Sequence, residues 1–134
     1  MILVDTSVWI DYLRGRETPA SYALDRAIEH EDICISGIIL TEILQGVGSQ
    51  RAYHHVRSLL DPLIFLPMKQ ESYHLAAEIY RESRAKGRVV RNTIDCLIAA
   101  CAITHHVPLL QSDKDYTVIS KVSKLRLISP PEEF

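Results

Sequence analysis

Short, wholly apolar runs alternate along this chain with longer stretches in which apolar residues recur every three or four positions. The first pattern marks strands buried on both faces, and the second marks amphipathic helices. Met1 to Val4 opens the chain as such a strand and breaks at Asp5, Thr6 and Ser7. A short helix from Ser7 to Leu13 follows, stopped by Gly15. Pro19 then starts a second helix running to about His30, with Leu24, Ala27 and Ile28 facing inward. Ile33 to Ile35 reads as the second strand, and Ser36 is placed to cap the helix of SGIILTEILQGVG, ended by Gly46 and Gly48. Ala52 to Leu60 is helical, Asp61 and Pro62 turn the chain, and Leu63 to Leu66 is the third strand, closed by Pro67. Lys69 to about Lys86 predicts a long helix with Tyr73, Leu75, Ile79 and Tyr80 near its buried side, ended by Gly87.

The stretch from Asn92 to Ile103 has nothing polar between Asp95 and Thr104, so this helix must be buried nearly all round. Val107 to Leu110 is the fourth strand, QSDKDY stands at its end, a short helix runs to about Lys121, and Leu125 to Ile128 is the last strand. Strands alternating with helices predict an α/β fold, a three-layer α/β/α sandwich on a central parallel sheet. The 134 residues form a single domain, 1–134, with no linker or internal repeat. The C-terminal SPPEEF reads as a tail.

Composition narrows the picture. A hydrophobic share of 47% and a charged share of 24% are globular values. No apolar stretch has the length of a membrane span, and the start lacks the basic flank of a signal peptide, so a cytoplasmic protein with no membrane partner is expected. Cys34, Cys96 and Cys101 sit inside apolar runs without a CxxC pair, and are expected as reduced core residues. The adjacent pairs His54–His55 and His105–His106 lack a partner four residues on, which argues against zinc. Trp9 is expected in the core or at a subunit contact. A net charge of −2 argues against a general nucleic-acid coat, but the charge is segregated. RESRAKGRVVR, 81–91, holds five basic residues and one acid, a local +4 that leaves −6 elsewhere. Arg84, Lys86, Arg88 and Arg91 could hold a phosphate backbone or form a solvated helix end. If the patch does hold such a backbone, the net acidity favours a small structured target over indiscriminate binding.

Four carboxylates stand where solvation and packing explain them poorly. Asp5 ends the first strand, Glu42 interrupts an apolar helical run, Asp95 lies in the first turn of the buried helix, and Asp113 follows the fourth strand. All can reach the carboxyl edge of a parallel sheet, where such folds place their ligands. Each also has a plainer reading. Asp5 or Thr6 could cap the next helix, Asp95 could join a capping box with Asn92, and Asp113 or Asp115 could serve as a turn or cap. Like charges ~4 Å apart repel by ~4 kcal/mol at an effective dielectric of 20, whereas a cap contributes ~1 kcal/mol. Gathering the acids for stability alone is therefore unfavourable. A divalent cation reverses the sign, and an all-oxygen set suits Mg2+ or Mn2+ better than zinc. Such a site fits phosphodiester hydrolysis. Asp5 and Asp95 are the first-choice ligands, Glu42 orients or deprotonates water or binds metal, and Asp113 completes the ring. Thr6 or Ser7 could add a hydroxyl.

The segments ILVDTSVWI, TEILQG, TIDCLIAA and LLQSDKDY, in this order and spanning nearly the whole chain, resemble the PIN-domain ribonucleases and, within them, the VapC-type toxins of toxin–antitoxin pairs. The resemblance implies a parallel-sheet sandwich, a homodimer, Mg2+- or Mn2+-dependent endoribonuclease action, and inhibition by a small VapB-type antitoxin. It carries the acidic roles to Asp5, Glu42, Asp95 and Asp113, with Asp115 also fitting the variable fourth motif. Two enzyme rivals fit less well. A haloacid-dehalogenase-like phosphatase wants an aspartate where this chain has Ser7, and a receiver domain wants one where it has Leu66 and Pro67. The non-enzymatic alternative is a catalytically inactive RNA- or protein-binding module of the same fold.

Overall fold

The computed structural model describes residues 1–128 and 130, so the expected tail lies outside the described residues save for Pro130. The strands are β1 (Ile2–Val4), β2 (Ile33–Ser36), β3 (Ile64–Leu66), β4 (Leu109–Leu110) and β5 (Leu127–Ile128). The helices are α1 (Thr6–Leu13), α2 (Pro19–His30), α3 (Gly37–Gln45), α4 (Gln50–Leu60), α5 (Gln70–Ala85), α6 (Thr93–Thr104) and α7 (Lys114–Val122). Every element expected from the periodicity is present, with ends shifted by one or two residues.

All the pairings are parallel, in the order β3-β2-β1-β4-β5. Parallel neighbours require right-handed crossovers, and the direction of travel decides which face a helix covers. The chain steps outward from β1 to β3 and then returns past β1 to β4. Helices before and after the return therefore fall on opposite faces. The contacts agree: α1 packs on α2 and α3, and α3 on α4, while α5, α6 and α7 pack on one another. This is the three-layer sandwich. The order of strands reverses between β1 and β4, and at such a switch point a crevice opens at the carboxyl edge.

β1 lies at the centre and is wholly buried, as are β2 and β4. Asp5 N–H donates to the Leu110 carbonyl at 2.9 Å, and Leu3 N–H to the Pro108 carbonyl at 3.0 Å, which fixes the ends of β1 and β4 side by side. Helix α6 is the most buried helix of its layer, with Cys96 and Ile98 through Ala102 inaccessible, as its apolar composition requires. The three cysteines are free and buried, and burial pushes Cys96 and Cys101 up to about 11, so they stay thiols at neutral pH. Trp9 is a core residue, edge-on to Tyr12 at 6.0 Å between ring centres. His105 meets the Pro67 carbonyl at 2.6 Å and His54 meets Gln50 at 3.1 Å, so each of these histidines has a structural partner.

Three inward assignments need correcting. Tyr73 and Tyr80 are 51% and 36% exposed, and Ile28 is also exposed. On α5 the buried positions are Ser72, Ala76, Ile79 and Ser83, a stripe at helical spacing that leaves both tyrosines outside it. Tyr80 instead lies under the Arg84 guanidinium, 5.7 Å from the ring centre. Strand β3 is an edge strand, and Ile64 and Phe65 are exposed on it.

Because β1 carries the crevice, its packing is tested first. Leu3→Ala at a fully buried site is expected to lower stability by about 2–5 kcal/mol in urea denaturation, against less than about 0.5 kcal/mol for Val89→Ala on the surface.

Candidate active site

Parallel topology brings the acids together before any side-chain contact is considered. A strand and the helix leading into it run in opposite directions, so the start of α6, which feeds β4, lies at the same edge as the ends of β1, β2 and β4. That edge receives Asp5 from the end of β1, Glu42 from the second turn of α3, Asp95 from the first turn of α6, and Asp113 and Asp115 from the start of α7.

The caps separate structural from spare carboxylates. Asp5 stands at the N-cap of α1 yet makes no side-chain capping bond, so capping is not its role. Its Oδ1 accepts a 2.7 Å hydrogen bond from the Tyr116 hydroxyl, and its Oδ2 accepts one of 2.9 Å from Ser7 Oγ. Ser7 Oγ also lies 3.3 Å from Ser112 Oγ beyond β4. On α6 the cap is made by Asn92, whose side chain accepts from the Ile94 N–H at 2.9 Å, and the capping box with Asp95 is not formed. Asp113 does cap, its Oδ1 accepting from the Asp115 N–H at 2.9 Å. Glu42 is half-buried and accepts a 2.7 Å bond from Thr6 Oγ1. Both hydroxyls that follow Asp5 thus serve carboxylates.

One oxygen each from Asp95, Asp113 and Asp115 lies within 4.8 Å of the others, a triple that excludes Asp5 and Glu42. Asp5 is joined to this triple through Tyr116, which is fully buried and faces both Asp5 and Asp95. Burial and the two carboxylates push its hydroxyl far up, so it stays protonated and donates. Burial raises Asp95 to about 6, with the Asp5 and Asp113 charges adding to the rise and the Tyr116 hydrogen bond opposing it. Asp95 therefore carries negative charge that its surroundings do not fully compensate.

Among the expected basic residues only Arg91 reaches the acids. Its Nε lies 3.4 Å from Asp115 Oδ2 and its Nη2 lies 3.5 Å from Asp113 Oδ1. Lys86 pairs with Glu82 at 3.2 Å, Arg84 covers Tyr80, and Arg88 stands exposed between α5 and α6. Reading by sequence missed Tyr116 and the Arg91 contacts. The tyrosine was visible in QSDKDY one helical turn after Asp113, where an inward-facing α7 residue must point back to the crevice.

The PIN domain model matches residues 2–124. This chain belongs to the PIN-domain family. Among relatives, it is 34% identical over 132 residues to VapC ribonuclease Mb1587 of Mycobacterium bovis, covering 96% of this chain and 98% of the relative. It is 27% identical to the ribonuclease VapC of Rickettsia bellii, covering 97% and 96%. Among solved structures, VapBC2 from Rickettsia felis bound to a DNA fragment from its promoter aligns with a TM-score of 0.76 at 20% identity, over 96% of this chain and 98% of that one. FitAcB from Neisseria gonorrhoeae aligns with 0.76 at 21%, over 97% and 98%. These structural likenesses speak to the fold, and they agree with the sandwich.

The oxygen-only donors of this PIN domain, with Asp95 undercompensated, suit a hard divalent cation. Without one, the raised Asp95 favours a protonated folded state, so its contribution to stability falls as pH rises from the unfolded value near 4 through about 6. A shift of that size is worth about 3 kcal/mol unscreened and about 1–2 kcal/mol for a half-exposed group. Asp95→Asn is thus expected to raise the melting temperature of chelator-treated protein at pH 7.5, with the gain vanishing near pH 4 in paired thermal scans.

Proposed function

We propose that this PIN domain is an Mg2+- or Mn2+-dependent endoribonuclease, the VapC-type toxin of a toxin–antitoxin pair. The observation that carries this reading is the group of carboxylates at the switch point, three of them mutually within 4.8 Å and one raised to about 6. The VapC ribonuclease names of the relatives support it independently.

In this reading Asp5 and Asp95 hold the cation, with Asp113 completing the ring and Asp115 beside it. When bound, the cation supplies charge neutralisation and Lewis acidity at the scissile phosphate. The chain's own groups do the rest. The Tyr116 and Ser7 hydroxyls each donate one bond to a different oxygen of Asp5, which fixes the carboxylate and leaves each oxygen a further lone pair and the group's full charge for the cation. Thr6 holds one oxygen of Glu42, and in this reading the other would orient the attacking water or take its proton. Arg84, Lys86, Arg88 and Arg91 hold the substrate backbone, and a small structured RNA such as tRNA is the substrate class proposed.

A VapB-type antitoxin is the proposed partner, supported by the VapBC complexes among the structural neighbours. A homodimer belongs to the same reading, since Ile64, Phe65 and Tyr73 are large apolar side chains left exposed on one chain. The protein is proposed to work in the cytoplasm, and among the described residues no helix is long and apolar enough to cross a membrane.

Cleavage of a labelled RNA tests the reading. Removing an outer-shell partner of a metal site typically lowers activity or affinity about 10–100-fold, so Asp5→Asn, which removes a ligand, is expected to lower cleavage at least about 100-fold. Excess chelator should abolish it. Undiminished cleavage by the folded variant or the chelated protein overturns the metal-site reading, and RNA binding without cleavage would favour the inactive binding module. Neutralising Arg84, Lys86 and Arg88 together is expected to flatten the slope of log affinity against log salt, by about 0.7 per lost phosphate contact on single-stranded RNA.

A further inference from the structure

Arg91 is the one cation of the 81–91 run that touches the acidic site, and it does so through three donors. Its backbone N–H lies 3.3 Å from Asp115 Oδ2, its Nε lies 3.4 Å from the same oxygen, and its Nη2 lies 3.5 Å from Asp113 Oδ1. The two carboxylates it bridges differ. The buried Asp115 has a side chain only 9% exposed, whereas the Asp113 side chain is 39% exposed and already accepts the Asp115 N–H on the same Oδ1. Both belong to the triple whose oxygens lie within 4.8 Å of Asp95. The Arg91 side chain is itself 71% exposed, so it is held mainly by these acids.

We propose that Arg91 is a tethered counter-cation that competes with the divalent cation for Asp113, while its backbone and Nε keep Asp115 in position. The inference rests on the metal-site reading above. A guanidinium and a divalent ion cannot both take up the negative charge of one small carboxylate group without repelling each other. Arrival of the ion therefore weakens the Nη2 contact to Asp113, the longest and most exposed of the three. The buried Asp115 contact includes the backbone N–H and does not need the guanidinium's far end. The released fork is left at the rim of the site, one side chain's reach from where a phosphate must lie, and its planar donors suit a phosphate oxygen pair. Arg91 in this account is a positioning residue with two successive acceptors, first Asp113 and then substrate phosphate.

The readout is Mn2+ affinity by titration calorimetry at low ionic strength, together with the melting temperature of chelator-treated protein, for the parent, Arg91→Ala, Arg91→Lys and Arg88→Ala. A purely structural arginine would lower both quantities together when removed. A competing counter-cation moves them in opposite directions. Arg91→Ala is expected to bind Mn2+ at least about tenfold more tightly while melting lower without metal, since one unit charge within a few ångströms is removed. Arg88→Ala, an exposed neighbour in the same run, should change affinity less than about threefold, which separates contact from general field. Arg91→Lys, keeping charge but losing the fork, should fall between the parent and Arg91→Ala. Binding by Arg91→Ala no tighter than by Arg88→Ala overturns the proposal. Failure of the parent itself to bind Mn2+ would instead overturn the metal site.

Discussion

The local structure of this domain is governed by the repulsion among carboxylates at the carboxyl edge of its parallel sheet. Asp5, Asp95, Asp113, Asp115 and Glu42 come from four separate segments, and three of them approach within 4.8 Å. Water would screen this charge if the acids were exposed, but Asp5 and Asp115 are buried and Asp95 half-buried, so the repulsion acts through a poor dielectric. Burial raises Asp95 to about 6, and the charges of Asp5, Asp113 and Asp115 add to that rise. The surrounding contacts make sense as answers to that load: a buried tyrosine shared between Asp5 and Asp95, Ser7 on Asp5, Thr6 on Glu42, and Arg91 across Asp113 and Asp115.

The sheet supports this load because its geometry is fixed independently of the acids. The register of β1 with β2 and β4, the backbone bonds from Leu3 and Asp5 to the β4 strand, and the buried α6 behind them depend on apolar packing alone. These are the features that were legible in the sequence. Runs such as ILV and ICIS have one stable placement, between other strands and under helices, and CLIAACA admits no exposed face. Legibility failed where a residue's environment is set by distant chain. Tyr73 and Tyr80 look inward on α5 by their apolar rings, yet the stripe that α6 and α7 cover is the small one through Ser72, Ala76, Ile79 and Ser83. Phe65 reads as a core strand residue, but β3 closes the sheet on its open side.

The acids show the same division. That Asp5, Glu42 and Asp95 were not ordinary surface charges followed from their apolar neighbours, and the spare carboxylates of Asp5 and Asp95 agree, since neither makes a capping bond. Asp113 and Asp115 were ambiguous for a physical reason: the two share one turn and divide its work. Asp113 caps α7 and stays partly exposed, and Asp115 is buried against Arg91. Spacing cannot distinguish these roles, because the deciding contact comes from a residue 24 positions earlier. Tyr116 was hidden differently. A fully buried aromatic beside Ile119 reads as core, and only its hydroxyl, placed 2.7 Å from Asp5, makes it part of the site.

The choice of donors around these acids bears on what the site can hold. Serine, threonine and tyrosine hydroxyls satisfy carboxylate lone pairs without adding charge, so each bond fixes an oxygen while leaving the site's attraction for a cation nearly intact. A lysine in place of Tyr116 would bond Asp5 more strongly and would cancel the charge that a divalent ion needs, from a buried position it could not leave without stranding a charge. Among the described residues the one true cation in contact with the cluster is Arg91, and it stands at the exposed rim, where leaving its acceptor strands nothing because water is at hand. Neutral donors lie inside and the solvent-exposed cation outside. That distribution holds the acids together while cancelling little of their charge, which is the condition the proposed divalent cation would require.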